Sequence, residues 1–125
     1  MKSRNTKPEV LIRKSLTELG LNYRLHRRDL PGTPDIVFSK SKLAVFVHGC
    51  YWHRHAGCEL AKTNRQTSLE WIERFNGIVK KDIIVKEKFS QMNWRVYVAW
   101  ECEILKNPLR EGQNIARILE SKAST

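Results

Sequence analysis

The chain has 125 residues and a formal net charge of +10, from 23 lysines and arginines against 13 aspartates and glutamates. The length predicts one domain, and the sequence has no apolar run near the roughly 20 residues of a membrane-spanning helix, so no such helix is predicted. A positive charge this large predicts a polyanionic partner, nucleic acid first; the alternative is a charge that serves solubility alone.

The N-terminus and the cysteines bear on the cellular compartment. The segment MKSRNTKPEV is polar, so the sequence predicts no secretory signal. The chain has three cysteines, and Cys50 and Cys58 lie in a histidine-rich segment. Because thiols grouped with histidines in an intracellular protein bind metal more often than they form disulfides, we expect a cytoplasmic metal-binding protein.

The first predicted element is a helix from about Thr6 to Gly20. Thr6 can cap it, Pro8 suits its first turn, and Glu9 completes a capping box. Gly20 is a typical stop after such a helix. The apolar stripe of the helix consists of Leu11, Ile12, Leu16 and Leu19.

Three strands are predicted next. Residues 23–29 are strongly basic and alternate weakly, which indicates a strand or extended edge. A turn rich in proline and glycine at 30–34 precedes a short strand at 35–38. Residues 43–47 are wholly apolar and β-prone, so they predict a buried central strand.

The second half of the chain predicts a helix, a strand and a last helix. Residues 68–89 have helical apolar spacing, which Gly77 weakens, and residues 94–100 form a strand pattern. Asn107-Pro108 breaks the chain before a helix around Ile115. The order α-β-β-β-α-β-α predicts one α/β domain over residues 1–125, with a mixed central sheet flanked by helices.

Residues 48–58 combine two cysteines, three histidines and two aromatic side chains. Zinc takes four ligands in a tetrahedron, most often thiolate sulfur and imidazole nitrogen. Cys102 follows a strand, and because strand ends at one sheet edge come together, it can complete a site begun by Cys50. His53 and His55 cannot easily both bind, and four ligands are available without His53. The sequence therefore predicts a structural zinc site at Cys50, His55, Cys58 and Cys102. The alternative is that the thiols are buried without a metal.

Asp35 opens a strand after a proline, an unusual place for an acid with only a solubility role. The alternative is an aspartate that caps the turn or strand. Pro34-Asp35, three apolar residues and a second buried strand resemble the core of the PD-(D/E)xK nuclease fold, whose acids hold Mg²⁺ beside the scissile phosphate. The Glu-x-Lys of that core is missing here, and His48 follows the second strand, where a histidine could serve as a base.

Four segments together closely resemble the very-short-patch-repair (Vsr) mismatch endonucleases. They are LPGTPDIVF, LAVFVHGCYWHRH, SLEWIERFNGIVKKD and WRVYVAWEC. The resemblance runs from about Thr6 to about Glu103, and the HGC-aromatic-WH-x-H string with WEC far downstream is its most specific part. It implies an enzyme that nicks DNA on the 5′ side of the thymine in a T:G mismatch, the product of 5-methylcytosine deamination, and so initiates very short patch repair.

The resemblance implies a role for each matching residue. Asp35 and the backbone carbonyl of Val47 would bind the catalytic Mg²⁺, and His53 would be the general base for the attacking water. His48 would assist at the phosphate. Glu9 would orient a water or a histidine, with helix capping as the alternative.

The resemblance also implies contacts with DNA. Tyr51 and Trp52 match the family's aromatic wedge, which enters the base stack beside the mismatch. Unstacking costs roughly a few kcal/mol per step and less at a mismatch, so such a wedge also senses deformability. Candidate phosphate contacts are Arg24, Arg27, Arg28, Lys62, Arg65, Lys80 and Lys81, although any one such residue is more often a solvated surface charge.

The expected partner is double-stranded DNA with a T:G mismatch, bound by a monomer in the bacterial cytoplasm, together with mismatch-repair proteins and a repair polymerase. Two features depart from the family pattern: only about five residues precede Thr6, so we expect the N-terminal DNA-clamping arm to be short or absent, and the spacing of His55 and Cys58 is one residue longer. The alternatives are a nuclease for another lesion or a specific site, and a zinc-stabilised DNA-binding module without catalysis.

Overall fold

The computed structural model describes residues 6–49 and 69–121. No helix in these two ranges is both long and apolar enough to cross a bilayer. In chain order the elements are α1 (Lys7–Glu18), β1 (Arg24–Leu25), β2 (Ile36–Phe38), β3 (Leu43–His48), α2 (Leu69–Gln91), β4 (Arg95–Trp100), α3 (Glu101–Lys106) and α4 (Pro108–Glu120).

The four strands form one mixed sheet in the order β1-β2-β3-β4. The first two pairings are antiparallel, whereas β3 and β4 run parallel from the pair Leu43–Arg95 to the pair His48–Trp100. Because the carboxyl ends of parallel neighbours meet at one sheet edge, the chain leaves β3 and β4 side by side. The predicted mixed sheet with a buried strand at 43–47 is confirmed.

Helices cover both faces of the sheet, which confirms the predicted α/β architecture. Phe89 of α2 packs against Phe46 on one face, with Val85 and Trp94 beside it. On the other face, α1 and α4 bury their apolar stripes, and α3 buries Ile104, against the odd-numbered side chains of β3. That larger core includes Ile12, Leu16, Val45, Val47, Ile104 and Ile115.

Helix α1 forms as the apolar spacing predicts, but the predicted capping box is wrong. Thr6 is the extended N-cap residue, yet its side chain makes no capping hydrogen bond. The Glu9 carboxylate bonds the His26 ring instead of the start of the helix. At the other end, Gly20 adopts a φ of 75°, and its N–H donates to the Thr17 carbonyl at 3.0 Å, so glycine ends the helix as expected.

Two further boundaries differ from the sequence prediction. The basic segment 23–29 is a strand only at Arg24–Leu25, because the next residue turns into the left-handed region. The helix predicted at 68–89 is confirmed as α2, which continues through Gly77. A short helix, α3, follows β4 directly, and Asn107 then caps α4 by accepting a hydrogen bond from the Arg110 N–H at 3.1 Å. The loop predicted at 59–67 lies outside the described residues.

A partly buried polar network around the buried Glu111 joins β4 to α4. The Tyr97 hydroxyl donates to Oε1 of Glu111 at 2.8 Å, and the side-chain amide of Asn114 donates to Oε2 of Glu111 at 3.1 Å. Burial, reinforced by Glu111, raises the pKa of Tyr97 to about 12. Because a buried carboxylate is costly without donors, these bonds stabilise the docking of α4 on the sheet.

The variant Tyr97→Phe should lower the free energy of unfolding by about 1–3 kcal/mol, because Glu111 Oε1 stays buried without its donor. The variant should also change how stability depends on pH in the alkaline range. A tyrosine ionises near pH 10 in the unfolded chain, and Tyr97 ionises near pH 12 in the folded one. The stabilisation of the folded state by the Tyr97 hydroxyl is therefore complete below about pH 10 and is lost as the pH rises toward 12.

Urea denaturation at neutral pH and at about pH 11 measures both effects. Tyr23→Phe is the matched control, since the Tyr23 hydroxyl contacts no carboxylate: it lies 3.1 Å from the Thr17 hydroxyl and donates to the Arg13 carbonyl at 3.4 Å. If the free energy of unfolding decreased by the same amount from the lower to the higher pH in Tyr97→Phe and in Tyr23→Phe, the role given to Tyr97 would be contradicted.

Candidate functional site

Three titratable side chains from separate elements meet beside the start of β2. Glu9 comes from α1, His26 directly follows β1, and Asp35 directly precedes β2. Nε2 of His26 lies 2.9 Å from Oε2 of Glu9 and 4.0 Å from Oδ1 of Asp35. One potential ligand atom from each residue lies within 4.8 Å of the other two. The two carboxylates implied by the family resemblance therefore share one site.

The Asp35 carboxylate is buried, and the backbone of β3 holds its residue at two points. The Asp35 N–H donates to the Val45 carbonyl at 3.1 Å, and Oδ2 of Asp35 accepts from the Val47 N–H at 2.7 Å. Residues i and i+2 of a strand direct their backbone groups to the same side. The Val47 carbonyl thus faces the same side of β3 as the Val45 carbonyl that contacts Asp35.

Glu9 is fully buried on the inner side of α1. Its Oε2 bonds His26, whereas its Oε1 has no hydrogen-bond partner within residues 6–49 and 69–121. A buried carboxylate oxygen of this kind usually finds a donor or a cation. The position of Glu9 at the site therefore favours the functional interpretation over a capping role.

His26 completes the site and was missed as a site residue by the sequence reasoning. It stands in a run of arginines, and local sequence marks it only as part of a basic segment. The structure adds two signals: a φ of 48°, unusual for a residue with a side chain, and a 3.2 Å hydrogen bond from its N–H to the Asp35 carbonyl. Residues in such conformations cluster at functional sites.

His48 ends β3 and is buried on the α2 side of the sheet. Its ring centroid lies 5.3 Å from that of Trp100 and 5.9 Å from that of Phe46. Its Nε2 lies 4.0 Å from Oδ1 of Asp82 on α2, a carboxylate that the sequence did not single out. His48 is thus positioned by three elements at the edge where the chain leaves β3.

Cys102 is the second residue of α3 and is half-buried. It follows Trp100 by two residues, just as Cys50 follows His48 by two, and His48 and Trp100 are direct partners in the sheet. The backbone therefore brings Cys102 to the edge from which the cysteine–histidine segment departs. The remaining predicted ligands, base and wedge lie outside the described residues: Cys50, Tyr51, Trp52, His53, His55 and Cys58.

The predicted phosphate-contacting arginines differ in their surroundings. Arg24 and Arg28 are both exposed, the first in the edge strand β1 and the second just after it. Arg27 instead forms a two-pronged ion pair with Asp29, with its Nε 3.0 Å from Oδ1, and this pairing lowers the pKa of Asp29. The charge of Arg27 is thus largely matched, whereas Arg24 and Arg28 are the better placed for a phosphate; Lys62 and Arg65 lie outside the described residues.

Comparison with known proteins points to one family. A family model described as DNA mismatch endonuclease Vsr matches residues 1–60. The chain is 40% identical over 104 residues to the type II nicking enzyme V.XorIIP of Xanthomonas oryzae pv. oryzae, covering 83% of this chain and 76% of that protein. It is 40% identical over 105 residues to the type II nicking enzyme V.NmeAIP of Neisseria meningitidis serogroup A, covering 84% and 74%.

A third relative is the DNA mismatch endonuclease Vsr of Escherichia coli, 33% identical over 102 residues, with 82% of this chain and 65% of that protein covered. The match to the family model takes in the Glu9–His26–Asp35 cluster, strand β3 and the segment that follows it. The chain therefore belongs to the Vsr endonuclease family.

Proposed function

We propose that this chain is a Mg²⁺-dependent DNA endonuclease that nicks one strand on the 5′ side of the thymine in a T:G mismatch. The observation that carries the proposal is the buried Asp35 carboxylate, fixed by the Val47 N–H beside the buried Glu9. Nicking as the reaction is supported by the relatives named type II nicking enzymes. The mismatch as the substrate is supported by the relative from Escherichia coli named a mismatch endonuclease.

The residues present suit a magnesium ion. Mg²⁺ prefers oxygen ligands and keeps several waters. Oδ2 of Asp35 accepts from the Val47 N–H, Oδ1 lies 4.0 Å from Nε2 of His26, and Glu9 adds a buried oxygen without a partner among the described residues. Asp35 and the Val47 carbonyl would bind the ion, and when bound it supplies positive charge that stabilises the transition state at the phosphate.

The protein's own groups would prepare the attack on the phosphate. The Val47 N–H holds the Asp35 carboxylate in one orientation, so the site is organised before DNA arrives. Glu9 keeps the His26 ring in place through its 2.9 Å bond. His48 would contact the scissile phosphate from the end of β3, and the His53 imidazole would accept the proton of the attacking water.

Zinc at Cys50, His55, Cys58 and Cys102 is a further part of the proposal. The supporting observation is the parallel pairing of His48 with Trp100, which starts both cysteine-bearing segments at one edge. A closed site of three thiolates and one imidazole is a structural zinc site. It would stiffen the segment that carries His53 and the wedge formed by Tyr51 and Trp52.

DNA binding would combine the wedge with long-range attraction. The net charge of +10 favours a polyanion, and Arg24 and Arg28 are suitable phosphate contacts near the site. Base contacts and deformability would supply the mismatch preference, because phosphate contacts carry no sequence information. We expect the protein to act as a monomer. A repair polymerase would then process the nick, and mismatch-repair proteins would be further partners. The same proposal includes a nuclease core of the PD-(D/E)xK type, which the sequence around Asp35 resembles.

A pool of duplexes tests the proposed substrate directly. Each duplex carries a central T:G pair flanked by randomised bases, and parallel pools carry T:A or C:G at the same place. In Mg²⁺ we expect nicking of the T:G pool alone, while chelation of the metal should stop it. Because the flanks are randomised, the result does not depend on a guess about sequence context.

Two other outcomes of the duplex experiment would each favour a different function. Equal cutting of the T:A or C:G pool within one sequence context would favour a site-specific nicking enzyme and contradict the mismatch proposal. Mismatch binding without any cutting, in Mg²⁺ or Mn²⁺, would favour a zinc-stabilised DNA-binding module and contradict the enzyme assignment.

A further inference from the structure

Glu9, His26 and Asp35 together present one nitrogen and two carboxylate ligands to a common point. We propose that they bind a single divalent cation jointly, with Nε2 of His26 as a direct ligand, so that the site selects Mn²⁺ over Mg²⁺. The inference deepens the proposed function, since it rests on the cation assigned there to Asp35. It adds a ligand, His26, that the family motifs quoted from the sequence do not include.

The spacing of the three ligand atoms fits one ion. In an octahedral site with bonds near 2.1 Å, neighbouring ligand atoms lie about 3 Å apart. Here the His26 nitrogen lies 2.9 Å from the Glu9 oxygen and 4.0 Å from the Asp35 oxygen, and all three atoms fall within 4.8 Å. On coordination the His26 nitrogen would direct its lone pair to the ion instead of sharing a proton with Glu9, and small side-chain rotations would bring the three atoms into one coordination sphere.

The backbone holds the His26 ring at this point. Its N–H donates to the Asp35 carbonyl at 3.2 Å, which ties the end of β1 to the start of β2. Its φ of 48° turns the chain away from the strand direction immediately after Leu25. A non-glycine residue keeps such a conformation only where its surroundings enforce it, and a ligand position is one such reason.

The electrostatics of the cluster favour a cation. The side chains of Glu9 and Asp35 are only 1% and 2% exposed, and His26 is 16% exposed. Two buried carboxylates this close repel each other unless positive charge lies between them. Oε1 of Glu9 has no hydrogen-bond partner among the residues that the structure describes, so the cluster retains a buried oxygen that a cation can use.

The one nitrogen and two carboxylate ligands also predict which of two cations, Mg²⁺ or Mn²⁺, the site prefers. Mg²⁺ favours oxygen ligands almost exclusively, whereas Mn²⁺ accepts carboxylates and imidazole together. Replacing one of the ligand oxygens of a magnesium site by the His26 nitrogen therefore shifts selectivity toward Mn²⁺. Glu9 and Asp35 alone would give an oxygen-only site with little discrimination between the two ions.

Metal binding without DNA tests this inference. Mn²⁺ is titrated into the zinc-loaded full chain and followed by electron paramagnetic resonance, with Mg²⁺ added as competitor. We expect one Mn²⁺ bound at least about tenfold more tightly than Mg²⁺. In the variant His26→Gln, which keeps a polar side chain, the preference for Mn²⁺ should fall at least about fivefold, while Mg²⁺ binding changes much less.

Two further measurements keep the test decisive. Glu9→Gln should weaken Mn²⁺ binding, whereas Glu18→Gln, which alters an exposed carboxylate on the same helix, should not. Pulsed resonance on the wild type should detect a coordinated imidazole nitrogen, and this signal should be absent from a folded His26→Gln variant. An unchanged Mn²⁺ preference in His26→Gln, or a wild-type spectrum without coordinated nitrogen, would overturn the inference.

The outcome is separable from that of the proposed function. Nitrogen-coordinated Mn²⁺ in a protein that cuts no T:G duplex would support this site and contradict the nuclease proposal. Nicking in Mg²⁺ with no role for His26 in metal preference would leave the nuclease proposal intact and contradict this site.

Discussion

The variant Asp35→Asn should nick T:G duplexes at least about a thousandfold more slowly than the wild type, with duplex binding retained. The amide introduced there would still offer an oxygen to the Val47 N–H, so the 2.7 Å anchor that holds the side chain can survive. The negative charge that attracts the cation is lost. Because each 1.36 kcal/mol in the barrier changes the rate about tenfold and metal stabilisation is worth several kcal/mol, the loss should be large.

Single-turnover nicking in Mg²⁺, with binding measured separately in Ca²⁺, distinguishes chemistry from affinity. Glu120→Gln is the matched control, because it also removes one carboxylate but at an exposed position at the end of α4. Its rate should equal that of the wild type. A folded Asp35→Asn protein that nicks at the wild-type rate would exclude Asp35 from the catalytic machinery.

The variant Cys102→Ser should lose most of the zinc and should unfold at lower temperature. Removal of a residue that only supports a metal ligand costs roughly 10- to 100-fold in affinity, and removal of a direct ligand should cost more. Structural zinc contributes folding free energy directly, so weaker binding lowers stability. The affected region is the edge where β3 and β4 end at His48 and Trp100.

Zinc content after dialysis, measured by mass spectrometry, and thermal unfolding with and without chelator give the two readouts. Leu105→Ala is the control on the same helix, at an exposed position. It should keep one zinc per chain and respond to chelator as the wild type does. A wild-type protein without zinc, or a Cys102→Ser variant that keeps all of it, would contradict the proposed metal site.

The sequence predicts the scaffold well where one local pattern determines an element. The apolar run at 43–47 predicts a strand buried on both sides, and the structure confirms it as part of β3, between two neighbours. The spacing of Ile12 and Leu16 on α1 likewise predicts the face that packs on the sheet. In both cases the hydrophobic pattern repeats with the period of the element that it forms.

Local patterns fail where a tertiary contact decides the outcome. Thr6 and Glu9 have the spacing of a capping box, but Glu9 bonds His26, which is 17 residues away. His26 itself stands in a basic stretch whose composition gives no hint that it meets two acids. A pattern that spans α1, β1 and β2 becomes visible only when the sheet is assembled.

The missed helix α3 has a different cause. Its six residues form less than two turns, and only Ile104 among them is buried, so no periodic stripe marks it. It forms because the chain turns at Trp100, at the end of β4, and continues directly to α4. The prediction of Cys102 at a strand exit was nevertheless right about its place in the fold, since α3 begins one residue before it.

Mapping the cut on a T:G duplex labelled at both ends of both strands tests the central claim most directly. In Mg²⁺ we predict a single nick on the thymine strand, immediately 5′ of the mismatched thymine, with the guanine strand intact and the T:A duplex uncut. Breaks in both strands, a nick on the guanine strand, a nick elsewhere on the thymine strand, or equal cutting of the T:A duplex would contradict the assignment.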